Sequence, residues 1–370
     1  VNDSSDAFLT ELVDARLGWV SQVLRSWYDE AELRRQAAAS LSADVERLEN
    51  PAFGEDFRDH VREAGGGVGV ADPLAWADRR LELPDGGWAV TGIRFRGGDA
   101  LRPFVDVVTT TAPPSPDGLA VVAEVVVPAY DAFSPLCLRV DAPDASALVA
   151  RLETEPRFGR GCAVDMQVVA GLVHRLRERP RVPRHDEVTL RAGDPLRLSR
   201  RAEEIYDQIV RDRPEHASWA TPEDVDSLTE CAEQGLLFEV LHEGEPAGVV
   251  AALRYDAHAM RGFSVQELCL DAAHRGRRLA PAALQRLVDE LPGDEGDVLW
   301  GTIDPENVAS LRNALSIGRE EVGGYVWVTP SGLAGMPVAP NCSTRTTESG
   351  TPTSPSNLAA YDAKPTEPQT

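Results

Sequence analysis

The sequence predicts an α+β fold in two halves followed by a polar tail, and three observations carry that reading. Alternating apolar runs between Gly87 and Ala142 give the first half strands as well as helices. From 186 to 330 the runs follow the order strand, two helices, three strands, helix, strand, helix, strand. Beyond Ser331 the chain turns to Pro, Ser, Thr, Asn and Gly, with too little apolar surface to offset the entropy of ordering it, so 331–370 is expected to be disordered. The 370 residues suffice for two cores, placed here at 1–180 and 186–330.

Taken in order, Phe8, Leu12, Ala15, Trp19, Val23 and Trp27 recur at mostly four-residue steps and predict helix across 7–48, with a second segment at about 30–48. The glycine-rich tract 63–73 has no strand before it and no Lys-Ser/Thr after it, so it reads as a connection. WAVTGIRFR, PFVDVVTTT, LAVVAEVVVPAY and PLCLRVDA read as strands, and helices are expected at about 144–153 and 163–178. The domain boundary falls in 177–187, where prolines and charges interrupt both periodicities. After it come a strand at Glu187–Arg191, helices at 199–212 and 221–234, the latter opened by Thr221 and Pro222, and a hairpin of LLFEVL with AGVVAALRY.

The stretch Phe263–Leu291 organises the second half. Val265–Leu270 is an apolar-rich run between Gly262 and Asp271, suited to a largely buried strand. From Ala280 the apolar positions Ala283, Leu284, Leu287, Val288 and Leu291 recur every three or four residues, so a helix buries that face. A turn between strand and helix leaves the first N–H groups of the helix unpartnered at the positive end of its dipole, which suits an anion, phosphates above all. Gly276 lets the backbone approach such a group, and Arg275, Arg277 and Arg278 can add charge. VLWGTI, a helix beginning near Pro305 and a last strand, YVWV, complete the order.

LCLDAAHRGRRLAPAAL resembles the acyl-CoA-binding motif of the GNAT acetyltransferase superfamily: an apolar strand, a short loop, then Arg or Gln, two variable residues, Gly, one variable residue, and Gly or Ala. Here that hexad is Arg275, Gly276, Arg277, Arg278, Leu279 and Ala280; Arg278 stands where the family usually has glycine. Asn307, Ser310 and Gly318 match a second motif of the family on the following helix, and Ala314 falls where a tyrosine often serves as the proton donor. The order of elements over 186–330 is that of the GNAT fold. The N-terminal half is either a degenerate, non-catalytic duplicate of it or an unrelated α+β accessory domain that shapes or covers the acceptor site.

The resemblance implies an acetyl-CoA-dependent N-acetyltransferase, or one using another acyl-CoA, in which an amine attacks the thioester directly. Backbone N–H groups of Leu268, Cys269 and Leu270 would meet the thioester oxygen and pantetheine amides. Glu267 is the candidate base, its burial suiting that role, or else an ordinary interface glutamate paired with an arginine. Asn307 and Ser310 would face the cofactor, with Asn307 equally suited to starting its helix. Cys269 fits a small buried side chain, and His274 an exposed loop. Tyr325 and Trp327 either line an acceptor pocket or fill the core. A non-catalytic acyl-CoA-binding or scaffold protein is the alternative, supported by Arg278 and Ala314.

A net charge of -23 argues against nucleic-acid partners and leaves aminoacyl transfer from a charged tRNA poorly supported. Lys364 is the one lysine, so arginine clusters carry less information than usual. Five cysteines show no disulfide or zinc spacing, and no metal site is expected. Without a signal-like or membrane-spanning run, a soluble cytoplasmic protein with an amine-bearing small molecule or peptide as partner is the expectation.

Overall fold

The computed structural model describes residues 3–218 and 221–337. The first half runs α1 (Asp3–Leu17), α2 (Gln22–Trp27), α3 (Glu30–Arg47), α4 (Pro51–Glu63), β1 (Arg79–Glu82), β2 (Trp88–Phe95), β3 (Pro103–Thr110), α5 (Pro116–Ala129), β4 (Leu138–Ala142), α6 (Ala145–Glu153), β5 (Ala163–Leu172) and α7 (Val173–Glu178). The second runs β6 (Val188–Ala192), α8 (Pro195–Asp212), α9 (Val225–Glu233), β7 (Leu237–His242), β8 (Glu245–Arg254), β9 (Gly262–Leu270), α10 (Leu279–Glu290), β10 (Val298–Ile303), α11 (Val308–Ser316) and β11 (Glu320–Val328).

The eleven strands among the described residues join one mixed sheet in the order β1-β2-β3-β4-β11-β5-β10-β9-β8-β7-β6. The two halves mirror each other. An antiparallel run, β1-β2-β3 in the first half and β6-β7-β8-β9 in the second, leads through a helix to a further strand that pairs in parallel: β3 with β4 over Val105–Val107, and β9 with β10 over Gly262–Ser264. Each half also carries a bulge just beyond its parallel pairing, at Val108 in β3 and at Gln266 in β9. The last strands are exchanged: β5 of the first half pairs with β10, and β11 of the second pairs with β4, while β5 and β11 pair with each other at the centre.

Helices cover both faces. In the second half Phe263, Leu270, Leu299 and the apolar stripe of α10 form one cluster. On the opposite face Leu198, Ala202, Ile205, Leu228 and Cys269 pack α8 and α9 against the sheet. A third cluster lays α1 to α3 over both halves, from Val90 to Trp300. Burying each such Leu, Val or Phe contributes on the order of 1.5–3 kcal/mol. Asp78, fully buried, is held by Arg94 at 2.8 and 3.1 Å and by Arg47 at 3.3 Å. No helix among the described residues is long and apolar enough to cross a membrane.

Three expectations about elements are corrected. The run 119–130, read as a strand for its valines, lies in helix α5, because Ser115 caps the Gly118 N–H and Pro116 opens the first turn. The run 163–172, read as helix, is the central strand β5. Helix α9 starts at Val225 on an Asp224 cap rather than at Thr221 and Pro222. Of the tail expected to be disordered, 338–370 lies outside the described residues. Residues 331–337 are placed against the fold: Gly335 N–H bonds Leu136 O at 3.0 Å, and Met336 packs with Phe104, Cys137 and Trp327.

The exchange predicts mutual dependence of the halves. Residues 1–180 expressed alone lose both partners of β5 and should aggregate, whereas co-expression with 181–337 should give a soluble one-to-one complex by size-exclusion chromatography. Two independently folded monomers would contradict the exchanged pairing.

Candidate functional site

The site is built where β9 parts from β10. Parallel pairing ends at Trp300 with Ser264, yet β9 continues to Leu270 and β10 to Ile303. From Val265 onward β9 therefore has β8 on one side and, among the described residues, no strand partner on the other. The β10 edge cannot follow it, being paired with β5 over all six residues from Val298 to Ile303.

The bulge at Gln266 decides which side chains face where. Phe263 and Val265 point at α10, and so do Leu268 and Leu270 after the extra residue shifts the alternation. Glu267 and Cys269 are thereby turned to the α8–α9 face. There Glu267, 2% exposed, accepts hydrogen bonds from Tyr206 Oη at 2.9 Å and from the Glu223 N–H at 3.2 Å. Burial pushes its carboxyl up to about 7 against the lowering effect of these donors. The same burial and the neighbouring carboxylate hold the Tyr206 phenol and the Cys269 thiol well above their ordinary values.

The turn after β9 differs from most of the other helix starts, α7 alone of the later helices sharing its lack of a side-chain cap. α3, α4, α5, α6, α8, α9 and α11 each begin on an Asp, Asn or Ser whose side chain accepts a first-turn N–H. α10 begins on Arg278, which supplies no such bond. Gly276 at φ 70° and Arg278 at φ 61° both lie in the left-handed region, so Arg278 adopts the conformation for which glycine is favoured. Among the described residues no hydrogen bond engages the N–H of Gly276, Arg277 or Arg278, all three are exposed, and a Cβ on Gly276 would meet nothing within 4 Å.

The predicted site residues separate into groups. Leu268, Cys269 and Leu270 form the free-edged part of β9, and Gly276, Arg277, Arg278, Leu279 and Ala280 form the turn and the first residues of α10. The Arg275 side chain is committed to the fold, donating Nε to Leu270 O at 2.8 Å and Nη2 to Ile205 O at 3.2 Å. Asn307 spends its side-chain oxygen on the Ser310 N–H at 3.1 Å, the helix-starting role. Ala314 is buried against Val169 and Ile303. Tyr325 and Trp327 lie where β11 crosses β4, against Arg139 and His258 and against Phe104, rather than beside Glu267. Four cysteines, 137, 162, 231 and 269, are free and buried; Cys342 lies outside the described residues. Glu187, His242 and Glu243 place possible ligand atoms within 4.8 Å of one another, but Glu187 already pairs with Arg184 at 3.0 Å and His242 at 3.1 Å.

Tyr206 and Arg319 were not indicated by the sequence. Tyr206 sits on the face of α8 that also carries Ala202 and Ile205, a stripe that could have pointed to it. Arg319, between Gly318 and two glutamates, reads as surface charge and is buried.

The first half has the same parting of strands, and Arg16 and Trp19, from α1 and the turn after it, line a small cavity there with Val107–Thr110 and Asp141. Arg16 pairs with Asp141, Trp19 Nε1 donates to Ala112 O at 3.0 Å, and Ser115 caps the following helix.

No curated protein matches the chain in sequence. A GCN5-related N-acetyltransferase from Sphaerobacter thermophilus is similar in structure at a TM-score of 0.46 and 15% identity, over 76% of this chain and 93% of that one. One from Kribbella flavida gives 0.39 and 15%, over 74% and 95%, and a GNAT-family acetyltransferase from Colwellia psychrerythraea gives 0.44 and 9%, over 76% and 98%. Residues 202–318, from α8 through α11, match the Acetyltransferase (GNAT) family, and the chain carries a GNAT acetyltransferase domain in its C-terminal region.

Proposed function

We propose that this domain is an acyl-CoA-dependent N-acyltransferase, with acetyl-CoA the simplest donor and a primary amine as acceptor. The observation that carries the reading is the uncapped, exposed turn Gly276–Arg278 at the end of a strand whose inner edge is free. A diphosphate fits there on this structure: unengaged N–H groups, the positive end of α10 and no Cβ at Gly276. Gly276, Arg277, Arg278 and the first N–H groups of α10 would hold it, and the β9 edge from Val265 to Leu270 would take the pantetheine amides. When bound, the thioester supplies an activated acyl carbon.

Glu267 does the proton work. A carboxyl ionising near 7 accepts a proton from an ammonium acceptor at neutral pH. The amine then attacks, a C–N bond forms, the C–S bond breaks, and the nitrogen's second proton goes to the departing sulfur or to solvent. Ala314 offers no hydroxyl, and a thiolate whose conjugate acid ionises near about 8.5 departs without one. The Glu223 segment lies over Glu267 and must shift to admit an amine. We assign 1–180 as a non-catalytic, GNAT-like half, supported by its matching strand order, its bulge and the Ser115 side chain that caps α5 where α10 has no cap. A soluble cytoplasmic setting is part of the same reading.

In a thiol-release assay with a panel of amines, Glu267→Gln should lower turnover about 10²–10⁴-fold while calorimetry shows acetyl-CoA binding unchanged. The wild-type rate should fall as pH drops below about 7. Binding without turnover for any amine would favour the non-catalytic alternative. Because burial raises this pKa, the stability linked to Glu267 is present below the ordinary carboxylate range and lost as pH rises through about 7. Glu267→Gln should therefore gain melting temperature over wild type progressively from pH 5 to pH 8. Tyr206→Phe removes a donor to the carboxylate, so its acid limb should move above the wild-type position, with no movement contradicting the bond's role.

A further inference from the structure

Arg319 is a buried cation without a counter-ion. It is 4% exposed, it donates Nη2 to Val169 O at 2.8 Å, and its Nε is buried with no partner. Among the described residues no carboxylate acts on its charge, and the adjacent Glu320 and Glu321 are exposed. Burial is the one influence on its ionisation, drawing it down to about 9. The arginines that brace this fold look different. Arg275 and Arg286 each spend Nε and Nη2 on backbone carbonyls, and Arg94 holds Asp78. Taking a lone guanidinium out of water is unfavourable, so a group that binds it gains what the fold leaves unsatisfied.

Its position names the ligand. A Cβ on Gly301 would lie 3.0 Å from Arg319 Nη2 and 3.8 Å from Val265 Cβ and O, so the guanidinium crosses β10 one residue beyond the last parallel pair, at the apex of the parting. Leu299 and Ile303, which flank Gly301 on the same side of β10, pack on the α10 and α11 side. Glu267 faces the other side, toward α8. From Val265 to Leu270, where the turn begins, is roughly 16 Å at about 3.3 Å per residue, a span suited to an extended phosphopantetheine arm with its acyl end at the apex. This inference rests on the acyltransferase reading and refines it. We propose that Arg319 receives a carboxylate at the far end of the acyl chain, making the preferred donor a dicarboxylic acyl thioester of the succinyl-CoA class. The side opposite Glu267 assigns the carboxylate to the donor rather than to the amine. The transferred group keeps it unchanged while the thioester becomes an amide and free coenzyme A leaves.

Calorimetry on the full chain without acceptor tests this with succinyl-CoA and butyryl-CoA, which share chain length and differ in the terminal carboxylate. Succinyl-CoA should bind at least tenfold more tightly, Arg319→Met should abolish the difference, and Arg319→Lys should keep part of it. Equal affinities, or a difference that survives in a folded Arg319→Met, overturn the assignment to Arg319 and leave the acyltransferase reading standing. Failure of both thioesters to bind overturns the two together. The wild-type comparison decides the donor class even if Arg319→Met does not fold.

Discussion

Everything in the C-terminal site depends on β10 being held from behind. In a sheet, a strand left with one neighbour can follow it; here β10 is paired with β5 along all six residues, and β5 is paired in turn with β11. When β9 bulges at Gln266 and leaves, β10 stays, and the gap between them becomes a fixed feature. The strand that does this holding comes from the other half of the chain. The first half thus contributes to the site mechanically, through β5, while Arg16 and Trp19 line its own parting.

The same bulge separates two chemistries. It turns Glu267 to the α8–α9 face while leaving Leu268 and Leu270 against α10, so an acid lies on one side of the sheet and the guanidinium beside Gly301 on the other. Both groups are buried and both are pushed toward their neutral forms, Glu267 up and Arg319 down. Glu267 keeps donors from Tyr206 and Glu223, whereas Arg319 keeps a single carbonyl. In a chain of net charge -23, the uncapped turn at Gly276 and the orphaned guanidinium are the two features of this half on which the proposed anion contacts rest.

Much of the second half was legible in the sequence. VLWGTI became β10 residue for residue, and α10 began within one residue of Ala280, because long periodic segments flanked by turn residues leave few alternatives. The first half was harder. LAVVAEVVVPAY is valine-rich enough to read as a strand, and only the Ser115-Pro116 start, upstream of the run, marks the helix. AVDMQVVAGL carries too little alternation to reveal a central strand buried on both faces. The exchange of β5 and β11 has no sequence signal, since period two gives a strand but not its partner. Arg278 was read as a departure from glycine; its left-handed backbone shows that the turn kept its shape without it. Arg275 and Asn307 matched family positions, yet their side chains brace the fold, which pattern alone does not distinguish from ligand contact.

The most direct test of the account is amide hydrogen exchange on the full chain with and without coenzyme A. Protection should appear in two segments together, the turn at 276–280 and the free edge of β9 at 265–270, because one is taken to grip the diphosphate and the other the arm. Protection confined to other regions, or none at saturating ligand, would contradict the assignment of this parting as the donor site.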